Sequence, residues 1–172
     1  MVVGPGIKTG LNIRIDNPAQ TGADLVVSCV AALKLQKPPL IVIGMGTATT
    51  MMVLDETGAM IGGSISPGIR VSMDALTQRA ALLPGLQLDQ PKRTIGRNTV
   101  ECMRSGILNG AAAMLDGMVQ RFCAKLNAPG AAVIATGTLP ASIRSACTVD
   151  IDYRATLVLD GLFTIWTKNT RR

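Results

Sequence analysis

The stretch from Ile41 to Thr50, IVIGMGTATT, has the composition of a phosphate-binding turn. Apolar, strand-forming residues run into Gly46, and threonines follow at Thr47, Thr49 and Thr50. Because glycine has no Cβ, backbone amides in such a turn can approach an anion, and threonine hydroxyls can donate to its oxygens. An ordinary hairpin turn has a similar composition, so this window alone leaves both interpretations open.

A second turn of small residues follows another apolar run. Residues 131–137 read AAVIATG, so Ala135-Thr136-Gly137 closes a short buried strand. Ligands in open α/β sheets bind beyond the carboxyl ends of strands, where both turns would fall. Their expected convergence supports a shared anion site, although the sequence ATG by itself is equally typical of a plain turn.

Asp24 is the candidate general base. It stands in the first turn of a helical pattern that opens at Gly22-Ala23-Asp24, where the helix dipole favours a carboxylate. There it could accept a proton from a hydroxyl that attacks a phosphate. The alternative is a cap that satisfies free amides of the first helical turn.

Two further positions leave the same choice between structure and ligand binding. Asn98-Thr99 opens a later helix, where either residue can be a cap or a ligand contact. Arg70 follows the run Ser66-Pro67-Gly68-Ile69 and is either an anion contact or a solvated arginine.

The chain contains no histidine, which removes several kinds of site. A Ser-His-Asp triad, a Cys-His pair and histidine-ligated zinc or iron are excluded. Acid–base chemistry therefore falls to Asp, Glu, Lys, Tyr or Cys. The four cysteines form no CxxC pair, and we interpret them as reduced thiols packed like small apolar residues: Cys29, Cys102, Cys123 and Cys147.

Charge and composition limit the partners. The net charge is +6 but the basic residues are scattered, so the sequence favours small anions over nucleic acid. Aromatic residues make up only 2%, too few for base-stacking platforms. The longest apolar run, 40–45, is far shorter than the roughly 20 residues that cross a bilayer. These features predict a cytoplasmic protein that binds neither membrane nor nucleic acid, with Arg171-Arg172 as a frayed tail.

Glycine and proline divide the 172 residues into the elements of one α/β domain. A helix that starts near Ala23 ends at Lys37-Pro38-Pro39. A three-stranded antiparallel meander follows, with a hairpin turn at residues 55–58. Its predicted strands are 40–45, 49–55 and 59–66. Pro67 is predicted to start a helix over 69–83.

The second half of the chain alternates helices and strands. A long helix over 100–126 is expected to be capped by Asn98 or Thr99, with Glu101 bound back to a free amide. Its glycine- and alanine-rich face predicts a tight helix contact. A strand (131–137), a helix to about 146, an edge strand (148–153) and a final helix (155–168) follow. A meander followed by alternating elements is typical of a mixed-sheet α/β layer fold.

The motifs in this order resemble the type III pantothenate kinases. From end to end they are VGPGIKTGLNIR (3–14), DNP (16–18), GAD (22–24), GTATT (46–50), GGSISPGI (62–69), IGRNTVE (95–101), SGILNG (105–110), ATG (135–137) and LDGL (159–162). The resemblance implies a duplicated actin-like (ribonuclease-H-like) fold and a homodimer. It implies transfer of the γ-phosphate of ATP to the terminal hydroxyl of pantothenate, the first step towards coenzyme A. It also implies a divalent metal such as Mg²⁺ and a monovalent cation, K⁺ or NH₄⁺.

The resemblance assigns roles to single residues. Asp24 matches the general base of the family's GADR motif, and the pantothenate-binding run is Gly22, Ala23, Asp24 and Leu25. Thr99 matches a further pantothenate contact, and the ATP contacts are Gly46, Thr47 and Gly137. Residues 1–172 are then a single domain, with 1–38 as substrate-binding lead-in and helix and 39–172 as the actin-like core.

The sequence departs from the family pattern in several places. Gly44 stands where the family has an Asp that helps bind the monovalent cation, so no metal ligand is assigned. Leu25 replaces the Arg of GADR, and Ile15 replaces the Tyr of IRYDNP. Thr138 replaces the second Gly of ATGG, which puts a β-branched side chain where the backbone should meet the nucleotide.

The family motif D-x-G-N-T is not found in this sequence. Family members begin with another actin-like half that carries it, and this sequence starts at what resembles the family's middle. Met1 is therefore an internal start, the start of a truncated gene or a chosen start point. The expected function is ATP-dependent phosphorylation of pantothenate. The alternatives are a truncated, inactive relative that acts as a binding or dimerisation partner, and a regulatory accessory protein.

Overall fold

A computed structural model describes residues 1–4 and 6–170, so the predicted tail at Arg171-Arg172 lies outside the described residues. The strands are β1 Leu40–Met45, β2 Ala48–Leu54, β3 Met60–Pro67, β4 Ala132–Gly137 and β5 Asp152–Tyr153. The helices are α1 Ala23–Leu35, α2 Ile69–Arg79, α3 Thr99–Leu126, α4 Ala141–Ala146 and α5 Leu157–Thr170, with a 3-10 turn at Pro18–Gln20. None of these helices combines the length and apolarity that crossing a bilayer requires.

The sheet has five strands in the order β3-β2-β1-β4-β5. The first three form the predicted antiparallel meander, and β4 and β5 add to it in parallel with β1. The mixed α/β sheet is therefore confirmed. In this register Gly44 of β1 lies between Thr50 of β2 and Thr136 of β4, so these residues form one row across the sheet.

Helices cover both faces of the sheet because its central strand is apolar on both sides. Leu40 and Val42 of β1 pack in a core with Cys29 of α1, whereas Ile41 and Ile43 pack in a second core with residues of α3. Each of these four β1 side chains is almost completely buried. Continuous apolar strands of this kind are typical of sheets covered on both faces.

The hairpin turn between β2 and β3 is organised by one carboxylate. Asp55 Oδ1 accepts hydrogen bonds from Thr57 Oγ1 at 2.6 Å, Thr57 N at 2.9 Å and Ala59 N at 3.0 Å. The Arg14 guanidinium lies 3.6 Å from Asp55 Oδ2. The hydrogen bond from the Thr57 side chain is the largest influence holding the pKa of Asp55 below its usual value of 3.8, and the backbone amides and Arg14 act in the same direction.

Asp55→Asn should lower the free energy of unfolding near neutral pH. It should also make that free energy depend less on pH in acid. A carboxyl whose pKa is lowered by folding stabilises the native state above its unfolded pKa, and this contribution is lost as the pH falls through the folded pKa. Urea unfolding at neutral pH and below about pH 3 should therefore show a difference between wild type and variant that shrinks in acid. Glu56→Gln, which removes a carboxylate from the same turn, should leave the curve nearly unchanged. Parallel curves for wild type and Asp55→Asn would contradict this role.

The segment around α2 differs from the sequence prediction. Pro67 pairs with Ala48 as the last residue of β3 instead of starting a helix, and α2 begins at Ile69 after Gly68. The helix ends at Arg79 and not at Leu83. Residues 80–83 have little core to cover, since Leu82 is 92% exposed, so nothing supports further helical turns there.

Two other expectations were also wrong in detail. Only part of the small-residue face of α3 is packed: Ala112 is buried in the core between α3 and the sheet, whereas Gly106, Gly110 and Ala113 are exposed. The predicted edge strand 148–153 shortens to β5, because the Asp116 carboxylate accepts the amides of Thr148 and Val149. A side chain thus takes the hydrogen bonds that a longer strand would have used.

Candidate functional site

A cavity of about 480 Å³ opens at the carboxyl ends of β1 and β4, and we call it the Asp24 cavity. Its walls come from the start of α1, the β1–β2 turn, the end of β4 and the start of α5. The residues predicted from sequence that line it are Asp24, Leu25, Gly44, Gly46, Thr47 and Gly137. Segments far apart in the chain thus converge on one space, as expected of the ligand position in an open α/β sheet.

Asp24 contributes an unpaired carboxylate to this cavity. It is exposed in the first turn of α1, and among the described residues its side chain accepts no hydrogen bond. The helix is preceded by Gly22, which has no side chain to cap it. A Cβ at position 22 would lie 2.5 Å from Asp24 Oδ1, so glycine there leaves room for the carboxylate. The capping alternative is therefore not supported, and Asp24 is free to meet a ligand.

The β1–β2 turn offers hydroxyls more than amides. The Gly46 amide donates to the Ala48 carbonyl at 3.0 Å, so it is not available to an anion, contrary to the sequence interpretation. Thr47, the next residue of this turn, is exposed, and its carbonyl accepts the Gly68 amide at 2.9 Å. The end of β3 therefore holds the turn in position, while the Thr47 hydroxyl remains available for a ligand.

The floor of the Asp24 cavity is the row of Gly44, Thr50 and Thr136. The Thr50 hydroxyl donates to the Gly44 carbonyl at 3.3 Å, and Thr136 is only 4% exposed. A Cβ at position 44 would lie 2.7 Å from Thr50 Oγ1. Asp24 is the only charged residue among those that line the cavity, so the cavity itself supplies no cationic side chain for a phosphate.

The second small-residue turn is packed tightly on the end of β1. Gly137 has φ +88°, and a Cβ there would lie 2.2 Å from the Met45 carbonyl oxygen. That carbonyl also accepts the Thr138 amide at 2.7 Å, and the Tyr153 hydroxyl donates to the Gly137 carbonyl at 2.7 Å. Only glycine fits this combination of left-handed backbone and close approach.

A second cavity, of about 520 Å³, lies on the other side of the β1–β2 turn, and we call it the Arg70 cavity. Arg70 and Asp74 of α2 line it together with the hydroxyl residues Thr49 and Thr138. Its apolar lining includes Ile69, Leu88 and Pro140. Met45, Gly46 and Thr47 border both cavities, so one turn separates them.

Thr99, a predicted site residue, lines neither cavity. It is the first residue of α3, and its neighbour Asn98 caps the helix by accepting the Glu101 amide at 2.9 Å. The Glu101 carboxylate in turn accepts the Arg97 amide at 3.0 Å. The predicted Asn98 cap is therefore confirmed, and Glu101 binds back to a free amide as expected, that of Arg97 just before the cap.

Sequence reasoning missed several residues of the Asp24 cavity, among them Ser28, Ala155 and Val158. The spacing of Ser28, one helical turn after Asp24, is a signal that could have identified it. Ala155 and Val158 come from the other end of the chain, and no local pattern marks them.

The cysteines are only partly as expected. Cys29 and Cys123 are buried, and burial raises the pKa of the Cys29 thiol to about 12. Partial burial likewise raises the pKa of Cys147 to about 11. The thiols of Cys29 and Cys147 are therefore poor nucleophiles at neutral pH. Cys102, however, is exposed, so the packed interpretation is wrong for that residue.

The described residues do not fit a resident divalent metal. They contain no group of three or more His, Cys, Asp or Glu side chains placed to share an ion. Asp24 is the single carboxylate of its cavity, and position 44 has no side chain.

The fold and the site define an α/β domain with a cavity at the carboxyl ends of its strands, lined by one free carboxylate and by two small-residue turns. A solved Baf family protein from Campylobacter jejuni has a similar fold, with a TM-score of 0.61 and 17% identity, over 90% of this chain and 68% of that protein. A sequence profile described as type III pantothenate kinase matches residues 1–121. The chain belongs to the type III pantothenate kinase family.

Individual relatives support this assignment over the whole chain. A type III pantothenate kinase of Geobacillus sp. strain WCH70 is 45% identical over 98% of this chain and 65% of the relative. Those of Geobacillus kaustophilus and Moorella thermoacetica are 44% and 42% identical, over 100% and 99% of this chain and 66% of each relative. The chain thus spans about two thirds of the length of these relatives.

Proposed function

We propose that this chain provides the pantothenate-binding and phosphate-binding part of a cytoplasmic type III pantothenate kinase. The observation that carries the proposal is the unpaired Asp24 carboxylate in a cavity bordered by both small-residue turns. The order of the strands, an antiparallel meander extended by parallel β4 and β5, supports an actin-like core over residues 39–172.

In this mechanism pantothenate occupies the Asp24 cavity. Asp24 accepts the proton of the terminal hydroxyl as that oxygen forms a bond to the γ-phosphorus of ATP. The bond between the γ-phosphorus and the β–γ bridging oxygen breaks, and ADP leaves with the electron pair. Leu25 lines the cavity beside Asp24 and positions the substrate, whereas Gly22 and Ala23 do not line it. Gly22 leaves room for the carboxylate, since a Cβ there would lie 2.5 Å from Asp24 Oδ1.

The nucleotide is assigned to the Arg70 cavity, with its phosphates across the turn at Gly46-Thr47. Arg70 supplies the positive charge that the Asp24 cavity lacks, and Thr47 and Thr49 supply hydroxyl donors. The apolar residues of the same cavity suit a nucleoside. Gly137 lines the Asp24 cavity, and its neighbour Thr138 lines the Arg70 cavity. Mg²⁺ is taken up as part of the nucleotide substrate.

A homodimer is part of the proposal because of Thr99 and of the exposed face of α3. Thr99 does not reach the Asp24 cavity of its own chain, so a contact with the same pantothenate requires the Thr99 of a second copy. An added Cβ at Gly106 or Gly110 would meet no atom within 4 Å, so another backbone could approach this face closely.

The test has two arms. Calorimetry on the purified chain should show pantothenate binding. Leu25→Arg, which restores the family residue, should change the affinity for pantothenate. The formation of phosphopantothenate is then measured with ATP, Mg²⁺, K⁺ and pantothenate. The two samples are the chain alone and the chain co-expressed with the remaining third of the Geobacillus kaustophilus relative. Phosphopantothenate in either sample supports the kinase. Binding without turnover in both favours the inactive binding partner, and absence of both overturns the proposal.

Gly44→Asp should make turnover depend on K⁺, which it does not in wild type. Turnover is measured in the active assembly, meaning whichever of the two samples above forms phosphopantothenate. The new carboxylate would enter the Asp24 cavity, and the Thr50 hydroxyl would have to rotate away from the Gly44 carbonyl to admit it. Turnover measured against K⁺, with Na⁺ as the comparison ion, checks this. Gly44→Asn, which has the same size without the charge, is the matched control. If K⁺ affects both variants equally, the account of position 44 is wrong.

A further inference from the structure

Two buried threonines have hydroxyls that bind nothing within the described chain. The polar residues buried in its interior are Ser28, Thr49, Ser105 and Thr136. Ser28 and Ser105 each donate a hydrogen bond to a backbone carbonyl. The hydroxyls of Thr49 and Thr136 make no hydrogen bond with another described residue, although these residues are only 2% and 4% exposed. Because a buried hydroxyl without a partner costs free energy, one that faces a cavity indicates a ligand.

Thr136 faces the Asp24 cavity. Side chains alternate along β4, so that Val133 and Ala135 pack in the core with α3, whereas Ile134 packs in the core with α1. Thr136, two residues after Ile134, therefore lies on the α1 side of the sheet, where it lines the Asp24 cavity. Its partner on β1 is Gly44, which has no side chain to cover the hydroxyl. The Thr136 hydroxyl is thus accessible from the cavity floor.

The other hydroxyls of this cavity differ from Thr136 in what they can donate. The polar side chains among the lining residues are Asp24, Ser28, Thr47, Thr50 and Thr136. Ser28 donates its proton to a carbonyl of its own helix at 2.8 Å, and Thr50 donates to the Gly44 carbonyl at 3.3 Å. Thr47 is exposed in the β1–β2 turn. Among the described side chains of the cavity, Thr136 is therefore the buried one whose hydroxyl proton remains free.

Asp24 and Thr136 together complement an alcohol. A carboxylate can only accept hydrogen bonds, whereas the free hydroxyl of Thr136 can donate one. An alcohol oxygen donates one hydrogen bond and accepts another, so it satisfies both groups at once. A ligand carboxylate in the same place would be repelled by the charge of Asp24, and a methyl group would leave both groups without a partner.

We propose that Thr136 is a further substrate-binding residue, whose hydroxyl donates to the oxygen that is to be phosphorylated while Asp24 accepts the proton of that oxygen. The inference rests on the proposed function and adds a specificity contact to it. An alcohol oxygen that accepts from Thr136 has its own proton free for another acceptor, which in this cavity is the Asp24 carboxylate. Thr136 thus selects an alcohol and turns its proton towards the base.

The experiment measures, by calorimetry on the purified chain, the affinities for pantothenate and for its deoxy analogue, in which hydrogen replaces the terminal hydroxyl. Thr136→Val keeps the shape of the side chain but removes the donor, so it should weaken pantothenate binding about 10-fold and leave binding of the analogue unchanged. Thr136→Ser, which keeps the hydroxyl, should retain the preference for pantothenate.

Thr21→Val is the matched control. Thr21 Oγ1 is also buried without a hydrogen-bond partner, but Thr21 lies outside the residues that line the Asp24 cavity. This variant should bind both compounds as wild type does. Neither valine variant should lower the midpoint of urea unfolding, because no group of the described chain loses a hydrogen bond. Thr136→Ala, which also lacks the hydroxyl, replaces Thr136→Val if that variant does not fold.

The outcomes separate this inference from the proposed function. Wild type that binds neither compound overturns both. Wild type that binds pantothenate, with Thr136→Val binding it equally well, overturns the role of Thr136 alone. Equal losses for the two compounds also overturn it, because the lost contact would not involve the terminal hydroxyl. A lower urea midpoint for Thr136→Val than for Thr21→Val would assign the Thr136 hydroxyl to the fold and not to a ligand.

Discussion

Gly137→Ala should destabilise the protein by about 3 kcal/mol, because two independent penalties fall on one residue. The backbone at φ +88° is costly for any residue with a Cβ, and that Cβ would lie 2.2 Å from the Met45 carbonyl oxygen. Moving the carbonyl away would break its hydrogen bond with the Thr138 amide, which is 2.7 Å long. Urea unfolding followed by circular dichroism measures the loss as a lower midpoint at unchanged slope.

Gly46→Ala is the matched control in the same site. Gly46 borders the same cavity, but its added Cβ would meet no atom within 4 Å. Its unfolding free energy should stay within about 0.5 kcal/mol of wild type. Equal losses in the two variants would show that the turn at Gly137 is not the constrained one.

Asp24→Asn should lower the turnover number of the active assembly by about 100-fold to 10,000-fold, the usual contribution of a general base. The amide cannot accept the hydroxyl proton, although it has nearly the same size and still fits beside Gly22. Pantothenate binding, measured by calorimetry, should change far less than turnover, because the other residues that line the Asp24 cavity are unchanged. The free energy of unfolding should fall by no more than about 1 kcal/mol, the value of a carboxylate in the first turn of a helix.

Glu56→Gln, which removes an exposed carboxylate in the β2–β3 turn, serves as the control for loss of charge. It should leave both turnover and binding unchanged. A variant Asp24→Asn that keeps full turnover would exclude the carboxylate as the base. One that loses binding and turnover in equal measure would make Asp24 a substrate contact only.

Elements that depend on local chemistry could be predicted from the sequence. The bounds of β1 and the Asn98–Glu101 cap agree with the sequence prediction, because proline, glycine and capping side chains act on neighbouring residues. The end of α2 could not be predicted in this way, because apolar residues at 80–83 continue the pattern without any surface to cover.

Residues of the site could be predicted from the sequence only where they belong to a motif of consecutive residues. Asp24, Gly46 and Gly137 belong to short motifs, and the structure brings all three to one cavity. The availability of the Gly46 amide depends on a hydrogen bond to Ala48 that composition cannot reveal. The Arg70 cavity and the position of Thr99 depend on the packing of distant helices, which leaves no periodic signal in the chain.

The turn Gly46-Thr47 borders both cavities, so a ligand in either cavity lies against the same turn. Any ligand in one cavity that fixes or shifts the turn changes the free energy of binding in the other. Such coupling is reciprocal: the factor by which the first ligand alters the affinity of the second equals the factor by which the second alters the first. The two ligands of the proposed reaction would therefore be linked through a shared wall, without any need for direct contact between them.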